Sequence, residues 1–79
     1  MTIGEKLPKD TISLIRNSST ADERRVICNR HKLSIDLMNA LLRRDRNVTE
    51  ENKKLLDDVV AKCKKNIKNN LKLLENIEQ

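Results

Sequence analysis

The sequence has no Phe, Trp or Tyr. Its core must therefore be assembled from Leu, Ile, Val, Met, Ala and Cys. The absence also counts against a single-stranded nucleic acid partner, because such binders stack bases on aromatic rings. Glycine and proline occur once each, as Gly4 and Pro8, both before the first helical pattern. Two cysteines, Cys28 and Cys63, do not make the disulfide framework of a small secreted domain. One histidine and no glycine-rich loop leave no nucleophile, base and orienting group at a suggestive spacing, so an enzyme is not expected and no cofactor or small-molecule ligand is implied. No apolar run approaches the length of a membrane span, and the opening MTIGEKLPKD lacks the apolar stretch of a signal peptide. The expected location is cytoplasmic, and the sequons at Asn17 and Asn47 are then chance matches.

What is present is charge and helical periodicity. The 79 residues are enough for one domain, since a chain this short buries only about 60% of its unfolded surface. The net charge is +5, and all of it lies between Arg24 and Arg46, where Arg24, Arg25, Arg30, Lys32, Arg43, Arg44 and Arg46 are opposed only by Asp36 and Asp45. A local surplus of that kind is the electrostatic footprint of a phosphate-binding surface, or else a solvated basic face with no ligand.

Taken in order, residues 1–9 read as a flexible lead-in. Asp10 or Thr11 can cap a short helix to about Asn17 with Ile12, Leu14 and Ile15 on one stripe. Asn17-Ser18-Ser19 is a polar linker, and Thr20-Ala21-Asp22-Glu23 is a capping box that starts a second helix at about Ala21. In that helix Ala21, Ile27 and Cys28 are expected to face the core, with Arg24 and Arg25 outside. Lys32-Leu33-Ser34 forms a turn, and Ser34 caps a third helix whose apolar set is Leu37, Met38, Leu41 and Leu42. Its opposite face carries Ile35, Asp36, Asn39, Ala40 and Arg43. Arg44 to Asn47 form a loop, Val48 is a staple candidate, and Thr49 caps a last helix that nothing interrupts before Gln79.

The last helix changes character along its length. Leu55, Leu56, Val59 and Val60 suit the core of a helical domain over residues 10–60. Over residues 61–79 the set Val60, Cys63, Ile67, Leu71, Leu74 and Ile77 continues a coiled-coil-like stripe and reads as a dimerisation arm for a homodimer, the alternative being a fold-back near Asn66 or Asn69-Asn70.

From Val26 to Lys54 the chain resembles the DNA-binding headpiece of the lactose-repressor family, within the wider phage-repressor-like helix-turn-helix class. The matching residues are Cys28 in the first helix, Leu33-Ser34 after the turn, Leu41-Leu42 in the second helix, and Val48-Thr49 opening the third. The resemblance implies an all-α, four-helix phage-repressor-like helix-turn-helix domain with a long C-terminal helix, acting as a transcriptional regulator on double-stranded DNA. Its recognition helix runs from Ser34 to Arg43, with Ile35, Asp36 and Ala40 at base-reading positions, Asn39 beside them, and Ser34, Asn47 and Thr49 where phosphates are met. Lys32 stands where the family often has Gly, and Ala40 where it often has Arg. No sugar-binding domain follows, so no inducer is expected.

By chemistry, Asn39 can pair with adenine, Asp36 can accept from a cytosine amino group, Ile35 can touch a thymine methyl, and Arg43 completes the face. Arg24, Arg25, Lys32, Arg44 and Arg46 can neutralise phosphates, joined by Ser34, Asn47 and Thr49. A zinc site is not expected: Cys28, His31 and Cys63 supply three ligands, and the fourth is missing. The rival from another class is a helical interaction module that uses the last helix against a protein partner.

Overall fold

The computed structural model describes residues 1–78, with side chains inside the last helix described up to Leu74. The fold is all-α, with helices α1 (Lys9–Ser18), α2 (Ala21–Arg30), α3 (Ile35–Leu42) and α4 (Glu50–Glu78). No described helix is long and apolar enough to cross a membrane.

Each boundary has a local cause. Helix α1 starts two to three residues earlier than expected, with Pro8 rather than Asp10 or Thr11 as N-cap. Proline lacks the amide that would need a partner there and holds a helix-compatible φ. Helix α2 starts at the expected capping box: the Glu23 amide donates to Thr20 Oγ1 at 3.1 Å, and the Thr20 amide to Glu23 Oε1 at 2.9 Å. Ser34 caps α3 by accepting from the Leu37 amide at 3.1 Å. Thr49 and Asn52 make a second reciprocal box at the start of α4, with Asn in the role usually filled by Glu or Gln.

The core gathers Ile15 of α1, Ile27 and Cys28 of α2, Met38, Leu41 and Leu42 of α3, Val48, and Leu55, Leu56, Val59 and Cys63 of α4. Two expectations are corrected here. Ala21 is exposed, because it sits at the first position of α2 and its side chain clears the packed face. Residues 1–9 are docked rather than a flexible lead-in: Leu7 is fully buried, and Gly4 and Glu5 exchange backbone hydrogen bonds with Val48 at 2.7 Å each. An antiparallel bridge joins Lys6 to Asn47 beside them. Gly4 has φ +90°, a conformation that favours glycine over any residue with a Cβ.

The core also extends further along α4 than residue 60. Val60 packs against it and Cys63 has no exposed surface, so these two members of the expected dimerisation set belong to the domain itself. One turn later the Asn66 side-chain amide donates to the Ser18 carbonyl at 2.9 Å and to the Glu23 carboxylate at 3.2 Å. Beyond that contact Ile67, Leu71, Leu73 and Leu74 are 39%, 56%, 59% and 57% exposed. Ile77, the remaining member of the set, lies beyond Leu74, the last residue whose side chain is described.

Candidate functional site

Helices α2 and α3 pack on each other through Ile27, Cys28, Met38, Leu41 and Leu42, joined by the four residues His31 to Ser34. The turn closes by a Schellman arrangement. The Lys32 amide donates to the Asn29 carbonyl at 3.1 Å and the Leu33 amide to the Cys28 carbonyl at 3.0 Å. That geometry requires a left-handed residue after the helix, and Lys32 adopts it with φ 57°. Leu33 is half-buried and plugs the turn. On the other side His31 Nε2 meets the carboxylate of Asp58, tying the turn to α4.

Helix α3 ends the same way. Arg44 has φ 64°, with its amide on Leu41 at 3.1 Å and the Asp45 amide on Ala40 at 2.9 Å. A basic residue thus occupies the left-handed position at the end of both α2 and α3, where glycine is the usual occupant and would be the less strained choice. The sequence marks Lys32 as standing where the headpiece pattern it resembles often has Gly; no sequence signal points to Arg44, whose conformation follows from α3 stopping after eight residues.

The face that α3 turns outward follows from its period. Asp36, Asn39 and Arg43 are exposed, whereas Ile35 and Ala40 are only partly so, Ile35 being packed against the core. Ser34 lies exposed at the N-cap, its hydroxyl oxygen already accepting from Leu37 while its proton remains free to donate. Around this face Lys32, Arg44 and Arg46 are exposed and form no ion pair among the described residues. Arg43 Nε contacts Asp45 at 3.0 Å and Arg25 contacts Asp22 at 3.4 Å, both exposed pairs that water and salt readily loosen.

One assigned residue is otherwise engaged. Arg24 was expected outside, yet its guanidinium turns back over the end of α1. Nη1 donates to the carbonyls of Ile15 at 3.2 Å and Ser19 at 3.0 Å and to Ser19 Oγ at 2.8 Å, satisfying carbonyls that the helix end leaves open. It is corrected from a phosphate contact to a helix-end cap. The Thr49 hydroxyl oxygen accepts from Asn52 in its own capping box while its proton, like that of Ser34, remains free to donate, and the Asn47 carbonyl accepts from the buried Asn52 at 3.2 Å, leaving the Asn47 side chain exposed.

The titrating groups near the helix ends are structural. Glu23 is held below its ordinary value, first by the hydrogen bond from the Thr20 backbone and then by Asn66 and Lys62. Burial pushes the thiols of Cys28 and Cys63 up, against weaker opposing effects that include Arg24. Among the described residues no group of three His, Cys, Asp or Glu side chains is placed to hold a metal ion. Comparison with known proteins finds no match to a protein family, to a curated protein or to a solved structure.

Proposed function

We propose that this chain is a sequence-specific double-stranded DNA-binding protein of the helix-turn-helix type, a small transcriptional regulator that works as a homodimer. The observation that carries the reading is the division of α3. One side is fixed in the core by Met38, Leu41 and Leu42; the other presents Asp36, Asn39 and Arg43 between the unpaired cations Lys32, Arg44 and Arg46. A short rigid helix with polar side chains outward and cations at its ends suits a major groove flanked by phosphates. The resemblance to the lactose-repressor headpiece supports the same assignment.

In this reading Asn39, Asp36 and Arg43 read base edges, with Ile35 and Ala40 contributing apolar contact through what exposed surface they keep. Arg25, Lys32, Ser34, Arg44, Arg46 and the side chain of Asn47 meet phosphates. Titration of labelled protein with duplex DNA at low salt tests it. Shifts of the amide signals across residues 34–46 that differ between duplex sequences are expected; no shift contradicts DNA binding, and equal shifts with every sequence reduce it to electrostatic attachment.

A second reading has its own observation. The exposed run Ile67, Leu71, Leu73 and Leu74 is an apolar surface that the domain does not use, and it would serve a protein-interaction module as readily as a DNA-binding dimer. A chain that ignores DNA while binding a protein partner through α4 would establish it.

A further inference from the structure

We infer that Lys6 is a further phosphate contact for duplex DNA, carried into place by the docking of the N-terminal segment on the loop between α3 and α4. The inference rests on the DNA-binding reading of α3 given above and adds to it a residue outside the helix-turn-helix.

Two backbone hydrogen bonds hold the segment. The Gly4 amide donates to the Val48 carbonyl and the Val48 amide to the Glu5 carbonyl, each at 2.7 Å. Lys6 and Asn47 then stand directly opposite each other in an antiparallel pair. The bond from Val48 to Glu5 flanks this pair rather than lying within it. In that arrangement opposed Cα atoms come to about 4.5 Å and their side chains are nearest.

The two-residue alternation of an extended chain decides where these side chains point. On one strand of the ribbon Leu7 is fully buried and Lys6 exposed; on the other Val48 is fully buried and Asn47 exposed. Directly opposed side chains leave the ribbon on the same face, so Lys6 and Asn47 reach solvent side by side. Glu5 leaves on the opposite face.

That outer face adjoins α3. Arg46, Asn47 and Thr49 border one surface recess with Leu37 of α3. A phosphate met there by the Asn47 side chain lies within reach of the Lys6 ammonium on its flexible four-carbon stem. Lys6 forms no ion pair among the described residues, so no carboxylate already neutralises it. Glu51 is the acid that lines the recess, and Lys6 joins Arg46 in outweighing it. Because the backbone of the segment is already fixed, binding orders only the Lys6 side chain.

The test is duplex affinity against salt concentration for the full chain and for Lys6→Gln, Lys6→Arg and Lys65→Gln, with stability followed by thermal melting. Lys65 is exposed on α4 about 20 Å along the helix from Glu50, and its variant is the control of equal charge change. Lys6→Gln should lower the slope of log affinity against log salt by about 0.9 per bound chain, which is roughly eightfold weaker binding at about 0.1 M salt, for every duplex alike. Lys6→Arg should keep the parent slope, and Lys65→Gln should change it little. An unchanged slope in Lys6→Gln, with or without a lowered melting temperature, overturns the contact, as does an equal loss in Lys65→Gln; DNA binding through α3 then stands. A full chain that binds no duplex overturns the reading of α3 and the contact with it.

Discussion

The side-chain amide of Asn66 donates to the carboxylate of Glu23 at 3.2 Å, joining the middle of α4 to the first turn of α2. The same carboxylate accepts the Thr20 amide and lies 3.5 Å from Lys62, so one residue serves the start of α2 and the docking of α4 together. This contact marks the end of the domain on α4.

Truncation tests that boundary. A chain ending at Asn69 retains Cys63 and Asn66 and should unfold cooperatively, as the full chain does. One ending at Val60 lacks both, and thermal melting should show no cooperative transition. Replacing Asn66 by Ala in the full chain should cost about 1 kcal/mol, the usual worth of a lost hydrogen-bonding group.

Glu23 should shape the acid limb of stability. Its folded-state affinity for a proton is reduced, so its contribution is present above the ordinary carboxylate value of about 4.5 and disappears as pH falls through the lower folded value. Glu23→Gln keeps a hydrogen-bonding group for the Thr20 amide but cannot titrate. Denaturation of this variant should therefore vary less steeply with pH below 4.5 than that of the parent. Parallel curves would contradict the assignment.

Lys32 and Arg44 should separate stability from binding. Glycine at either left-handed position relieves strain, and Lys32→Gly and Arg44→Gly should each stabilise the fold by about 1 kcal/mol in chemical denaturation. Each should also weaken DNA binding and lower the slope of log affinity against log salt by about 0.9, the loss of one phosphate contact. A variant that is more stable and binds DNA unchanged would remove that residue from the interface.

Cys28 and Cys63 should resist thiol reagents in the folded protein at neutral pH, because both are buried and burial holds their thiols protonated. Labelling should follow unfolding, with no modified species seen by mass spectrometry before the denaturation transition. Rapid labelling of either thiol in the native state would contradict the packing of α4 against α1 and α2.

Local chemistry was legible where it was written in adjacent residues. The Thr20–Glu23 box, the Ser34 cap and the period of Leu37, Met38, Leu41 and Leu42 announce helix starts and faces without reference to the rest of the chain. Long-range contacts were not. Leu7 is a lone apolar residue in a polar segment, and its burial depends on backbone pairing with Val48, far along the chain. Arg24 looks like any surface arginine until the end of α1 is placed beneath it. Cys63 fits a coiled-coil stripe and a domain core equally well by period, and only the position of α1 and α2 against α4 assigns it to the core.

The division of α3 into a buried side and a reading side is the central claim, and selecting bound duplexes from a random pool tests it most directly. The parent chain should enrich a recurring half-site, and Asn39→Ala should change the base preferred at one position while leaving the rest of the half-site intact. No enrichment from the pool, or an identical half-site from Asn39→Ala, would contradict the role given to α3.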